Sequence, residues 1–139
     1  MTVAAPVRTV ADAMLRHPTV HPADLTIGNA RAAFDASPKT HLLLLLRAGV
    51  LVSTVVRADV DGAADSTLAA EVGTLDGRTI TPDTPLTPTH ALMRRRGMRR
   101  LAVVDESMRL LGLLCLKQSL AGFCTDDGVA AMRRARAGR

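Results

Sequence analysis

Val50-Leu51-Val52-Ser53-Thr54-Val55-Val56 has a second version in Arg109-Leu110-Leu111-Gly112-Leu113-Leu114-Cys115, 59 residues further on. Working outward from this pair, His41-Leu42-Leu43-Leu44-Leu45 lies over Arg100-Leu101-Ala102-Val103-Val104 at the same offset of 59. Asp24-Leu25-Thr26-Ile27 lies over Asp83-Thr84-Pro85-Leu86, again at 59. Thr19-Val20-His21-Pro22 matches Thr79-Ile80-Thr81-Pro82 at 60, one residue being lost between the blocks. A nearly constant offset through four blocks is hard to obtain by chance, and self-similarity at a fixed period marks a repeated structural unit. The chain is two copies of one unit.

Both copies read alike. A short strand at Thr19–Val20 or Thr79–Ile80 runs into a Pro/Asp turn. A helix follows, N-capped by Thr26 or Thr84. In the first copy Ile27, Ala30 and Phe34 form its apolar face. In the second, Leu86, Ala91, Leu92 and Met93 take that part and Gly97 ends the helix. Leu42–Leu46 is an unbroken apolar run, as in a strand covered on both faces, and Leu101–Val104 is its counterpart. A tight turn at Arg47-Ala48-Gly49 or Asp105-Glu106-Ser107 leads into a second apolar strand, so the two strands form a hairpin. Short helices are expected near Arg57 and Leu116, and a lead-in helix over Val10–Leu15. The fold class is α+β, two β-α-β-β-α repeats. Repeat 1 covers 8–62, a linker and lead-in helix 63–76, repeat 2 77–124 and a basic tail 125–139. Three-stranded sheets are too small to stand alone, so the repeats should pack face to face about a pseudo-twofold axis.

Composition narrows the chemistry. Hydrophobic residues make up 47% of the 139, enough for a buried core, but only Phe34 and Phe123 are aromatic. The core must be aliphatic, and the stacking platforms that hold single-stranded nucleic acid are missing. No apolar run is long enough to span a bilayer and the first ten residues do not read as a signal peptide, so a cytoplasmic protein is expected. Cys115 and Cys124 show no paired-ligand spacing and read as two reduced thiols. His17, His21, His41 and His90 lack the spacing of a structural metal site. No phosphate loop, dinucleotide fingerprint or nucleophile elbow occurs, so the chain is expected to be neither an enzyme nor a cofactor carrier. The charge of +5 is concentrated in five arginines within Arg94–Arg100 and in Arg133, Arg134, Arg136 and Arg139. Such patches attract phosphates, nucleic acid or acidic proteins, or are solvated helix ends.

Val10-Ala11-Asp12-Ala13-Met14 followed by Pro18-Thr19-Val20 resembles the opening of a CBS domain, "V-x-D-x-M" before "P-x-x-V". His41-Leu42-Leu43-Leu44 resembles that family's "H-L-P-V", and Gly49–Val60 its closing "G-x-L-V-G-I-V-T-R-x-D-L". Arg100–Asp105 and Leu110–Leu114 match the same two strands in the second half, so the resemblance covers roughly 8–122. It is to the stand-alone tandem pair, or Bateman module. The Ala- and Arg-rich, Lys-poor composition suggests a GC-rich bacterial genome.

The resemblance implies a disc-like homodimer that takes AMP, ATP or S-adenosylmethionine in clefts between repeats. In the family the carboxylate of a "T-x-x-D" step holds the ribose hydroxyls, a sound choice because charge-assisted hydrogen bonds are the stronger kind. The adenine sits in an apolar slot read by main-chain groups. Transferred to this chain, the Asp is Asp59, but the Thr position holds Val56. In the second repeat the two positions hold Cys115 and Gln118, and Gln offers an amide where the family has a charge. The implied ligand-binding set is Asp59, Arg57, Val56, Thr19, Val20, His41 and Leu42, joined by Arg99 and Arg100 as phosphate donors and by Gln118. Asp59 also reads as an N-terminal helix residue.

Three functions follow. A sensor would bind an adenine nucleotide and pass a change of arrangement to an unidentified protein partner. A ligand-free dimeric scaffold is favoured by the substitutions at Val56, Cys115 and Gln118. Nucleic-acid binding through the Arg patches has no recognised reading element behind it.

Overall fold

The computed structural model describes residues 8–126 and 128, so the arginines at 133, 134, 136 and 139 lie outside the described residues. A short helix α1 (Val10–Ala13) opens the description. Repeat 1 then runs β1 (His21–Pro22), α2 (Ile27–Ala36), β2 (Leu43–Arg47), β3 (Val50–Val55) and a 3-10 turn at Arg57–Val60. After a second 3-10 turn at Ala69–Glu71, repeat 2 runs β4 (Thr79–Ile80), α3 (Leu86–Arg96), β5 (Arg100–Val104) and β6 (Leu110–Cys115). Each repeat makes a three-stranded sheet in which the first strand pairs parallel, and the third antiparallel, to the central one.

Local chemistry explains the elements. Thr26 caps α2 by accepting the Asn29 N–H on its hydroxyl, while Ile27, Ala30 and Phe34 turn into the core. Gly97 ends α3 in the left-handed conformation at φ 66°, and the Met98 N–H closes the last turn onto Met93 O at 2.9 Å. Ala48 and Gly49 both have positive φ, which gives the tight β2–β3 turn the twist that a hairpin needs.

Several expectations need correction. The β1 ladder forms at His21 and Pro22, where the Ala23 N–H continues it onto Leu46 O; Thr19 and Val20 lie exposed ahead of it. Thr84 does not cap α3. The cap is Pro85, because the Thr84 carbonyl is taken by the Val10 N–H of α1. No helix starts at Leu116. The chain instead turns back, with Leu116 bridged to Phe123 and the Cys124 N–H on Cys115 O at 2.7 Å. That return brings Cys115 and Cys124 together as a disulfide with Cα atoms 5.3 Å apart, where two reduced thiols were expected. The helix between the repeats is the short 3-10 turn Ala69–Glu71.

The repeat offset is also finer than the sequence alignment shows. Pairing of His21 with Leu45 and of Ile80 with Val103 sets the lead strands 59 apart and the central strands 58 apart. The third strands return to 59, since the Leu51–Ser53 and Leu110–Gly112 pairings leave Val52 and Leu111 as the matching bulged residues.

Two hydrogen bonds place the symmetry axis. Leu51 N–H donates to Met108 O at 2.8 Å and Leu110 N–H to Gly49 O at 3.1 Å, so each bond maps onto the other under the 59-residue shift. Around this contact Leu44, Leu51, Ala102 and Val104 form a core shared by both sheets. Each repeat keeps its own core on the outer side, Ile27, Phe34, Leu43 and Val55 in one and Val10, Met93, Leu101 and Leu114 in the other. Val10 belongs to the second of these, because the lead-ins cross. Leu15 pairs with Leu113 of repeat 2, and Thr74 donates to Thr54 O of repeat 1 at 3.0 Å. The crossings are tight: a Cβ on Gly112 would come within 2.5 Å of Leu15 O, and one on Gly73 would collide with Thr54 O.

Candidate functional site: the cleft beside the twofold axis

Because the lead-ins cross, the first residues of repeat 2 lie against the last strand of repeat 1. Asp59 stands in the 3-10 turn after β3, where its Oδ2 accepts the Val56 N–H at 3.0 Å. The same oxygen accepts from Arg78 Nη1 at 2.7 Å, and Oδ1 from Arg78 Nη2 at 3.4 Å. Arg78 also donates to Thr54 O at 3.2 Å. With side chains only 19% and 18% exposed, Arg78 and Asp59 form a largely buried, two-pronged ion pair across the repeats.

Arg78 faces a cleft of about 230 Å³ whose other walls are His41, Leu42, Val56, Gly97, Met98, Arg99 and Arg100. Arg99 is fixed by Nε on Leu116 O at 2.9 Å, and its Nη1 lies 3.4 Å from His41 Nε2. Arg100 reaches Arg99 O and Leu116 O with Nη1 and Lys39 O with Nη2. Burial, and then the charge of Arg99, push Arg100 down to about 10, so it stays charged at neutral pH. Burial first, and then Arg100, Arg99 and Arg57, lower His41 from its ordinary value. The neutral ring offers Nε2 as an acceptor to Arg99, which puts its proton on Nδ1. The cleft thus combines Leu42, Val56 and Met98 with a cationic rim whose one carboxylate is covered by Arg78.

The structure brings His41, Leu42, Val56, Arg99 and Arg100 of the sequence-derived set together, with Asp59 directly behind Arg78. It does not bring the other four. Arg57 turns to the end of α2, donating to Phe34 O and Ser37 O at 2.9 and 2.8 Å and lying 5.1 Å over the Phe34 ring. Thr19 and Val20 are exposed and outside the lining, and Gln118 is exposed in the turn after Leu116. Sequence reasoning missed Arg78, because the offset of 60 set it over Pro18. The structural offset of 59 sets it over Thr19, a residue already singled out. On the other side of the axis the positions of Arg78, Val56 and Asp59 are held by Thr19, Cys115 and Gln118.

A wider groove of about 1000 Å³ runs between α1, α3 and residues 121–126. Three of its polar groups are already engaged: Asp12 accepts the Thr9 N–H, Asp126 the Arg16 N–H, and His90 Nε2 lies 2.8 Å from Leu120 O. Among the described residues no group of three His, Cys, Asp or Glu is placed to hold a metal ion. No helix of the described residues is long and apolar enough to cross a membrane.

The family model of the CBS domain matches residues 71–118. No curated protein matches the chain. Among solved structures, the CBS domain pair of protein MJ0100, in complex with 5′-methylthioadenosine and S-adenosyl-L-methionine, is 18% identical with a TM-score of 0.62. That match covers 94% of this chain and 99% of the other. The CBS domains of a transcriptional regulator from Streptococcus pneumoniae match at 15% identity and a TM-score of 0.67, over 79% of this chain and 94% of theirs. The cytosolic domain of the Mg2+ channel MgtE, in complex with ATP, matches at 18% and 0.61, over 86% of this chain but 46% of that one. Residues 71–118 are therefore a CBS domain, and the chain as a whole has the fold of a tandem CBS-domain pair.

Proposed function

We propose that this protein is a non-catalytic regulatory module that binds an adenosine-containing ligand in the cleft beside the twofold axis and signals to a protein partner. The observation that carries this reading is the cleft itself, which draws its walls from both repeats and sets apolar side chains beside Arg78, Arg99, Arg100 and His41. Support also comes from structures of the same fold, one solved with S-adenosyl-L-methionine and 5′-methylthioadenosine and one with ATP. At about 230 Å³ the cleft is smaller than a typical ligand pocket of about 300–1,000 Å³. A nucleotide would seat its base and sugar there and leave its phosphates toward the arginine rim. A ligand that spans two repeats binds one of their arrangements better than another, which is the requirement for a signal. A homodimer in the cytoplasm completes the proposal, although the paired cysteines are the observation that sits least well with a reducing compartment.

Calorimetric titration with AMP, ATP and S-adenosylmethionine tests the reading; the chain has no Trp or Tyr to report binding by fluorescence. Saturable binding to one site per chain, lost in Asp59→Ala, is the expected result. Absence of heat, and of thermal stabilisation at ligand excess, with all three would overturn it. A specific observation favours a second reading, a scaffold without ligand: Gln118 and Cys115 stand where the other cleft needs its polar groups, and Arg100 already reaches across to Lys39 O.

A further inference from the structure

The carboxylate best suited to hold a sugar does not reach the cleft wall; Arg78 stands in front of it. Asp59 has both oxygens engaged by the Arg78 guanidinium, and Arg78, not Asp59, lines the cleft. We propose that Arg78 is the specificity-determining residue of this cleft: it covers Asp59 in the free protein and is released onto a phosphate when vicinal hydroxyls take its place. The inference rests on the adenosine-ligand reading above and adds what selects among such ligands.

The argument is one of satisfying two opposite charges at once. Arg78 and Asp59 are about four-fifths buried, and removing one partner from such a pair leaves the other uncompensated, at a cost well above that of an exposed pair. A ligand offering only hydroxyl donors can take Asp59 but strands the guanidinium. A ligand offering only an anion can take Arg78 but strands the carboxylate. A molecule that carries a vicinal diol and, a few bonds away, a phosphate satisfies both halves. The rest of the cleft fits the exchange. Arg99 and Arg100 are held by carbonyls and, for Arg99, by His41, whereas Arg78 is the cleft arginine paired with a carboxylate, so Arg78 is the guanidinium whose charge partner a ligand can replace. Asp59 keeps its bond from the Val56 N–H throughout, which holds the carboxylate in place once Arg78 leaves. Across the axis the pair is replaced by Thr19 and Gln118, so this selection belongs to one cleft only.

The test is a calorimetric titration of the full chain with adenosine, AMP and inorganic phosphate, repeated on Arg78→Ala. The unaltered protein should bind AMP well above adenosine or phosphate. Arg78→Ala should bind adenosine roughly tenfold more tightly, because Asp59 is uncovered, and AMP roughly tenfold more weakly, the scale of one charge-assisted hydrogen bond. Opposite changes from one substitution are the signature. Adenosine and AMP weakening together, or neither changing, while the unaltered protein binds AMP, would overturn the exchange and leave the nucleotide reading standing. Absence of binding to either by both proteins would remove the nucleotide reading and this inference with it. If circular dichroism shows Arg78→Ala unfolded, Arg78→Gln provides the same comparison with a neutral side chain that still packs along the stem.

Discussion

At the scale of single residues, charge in this protein is arranged by contacts that neighbours in sequence do not reveal. Asp59 was legible as a carboxylate at the end of a strand-to-helix step, but its partner, 19 residues away, was not. Arg57 shows the reverse: adjacent to the site in sequence, it is drawn to the Phe34 ring and to the Phe34 and Ser37 carbonyls at the C-terminal end of α2, which attract a cation. His41 is more informative, since Arg100, Arg99 and Arg57 act on it together with burial. Its folded-state value lies below the ordinary 6.5, so the unfolded chain takes up the proton first as pH falls. The stability that His41 contributes is complete above about pH 6.5 and is lost as pH drops toward the folded value. Thermal melts between pH 7.5 and 5.5 should fall on the acid side, and His41→Gln should flatten that fall. His21, lowered by burial alone, accounts for a remainder that the substitution leaves in place.

At the scale of elements, periodicity and turn chemistry predicted well where a segment's own residues decide its shape. Thr26 at the start of α2, Gly97 at the end of α3 and the Ala48-Gly49 turn are such places, and the structure has them as read. The reading failed where a distant segment competes. Thr84 yields its carbonyl to α1, and the segment after Leu116 turns back instead of coiling. The Cys115–Cys124 disulfide fastens that return, and Leu116 O at its base holds both Arg99 and Arg100. Closing a loop of this length removes roughly 2–3 kcal/mol of chain entropy from the unfolded state. Urea unfolding with and without dithiothreitol should therefore differ by about that amount, and Cys124→Ser should unfold like the reduced protein under both conditions. Equal stability of oxidised and reduced protein would show that the return needs no covalent support.

At the scale of the whole molecule, the two repeats are one folding unit. Each sheet gives its inner face to the shared core of Leu44, Leu51, Ala102 and Val104, and each lead-in pairs with the opposite repeat at Leu15–Leu113 and Thr74–Thr54. Neither half should fold alone: fragments 8–62 and 77–139 should give no cooperative melt by circular dichroism, and mixing them with the linker restored to one fragment should recover it. A sharp melt from either fragment would mean that its outer core suffices. What the amino-acid sequence determined by itself was the repeat, the α+β class, the Thr26 cap of α2, the Gly97 end of α3 and the apolar strands, all of which follow from residues close together in the chain. Five of the ten residues derived for the site met in one cleft for the same reason, since the strand entries after α2 and α3 that carry His41, Leu42, Arg99 and Arg100, and the end of β3 that carries Val56, were read correctly. Only the tertiary structure decided the crossing of the lead-ins, the 58-residue spacing of the central strands, the Cys115–Cys124 pairing and the placing of Arg78 over Asp59. The crossing and the Arg78–Asp59 pair depend on which surface a segment finds in the other repeat, and the disulfide on the return of the chain after Leu116; each is settled by tertiary packing and not by local preference.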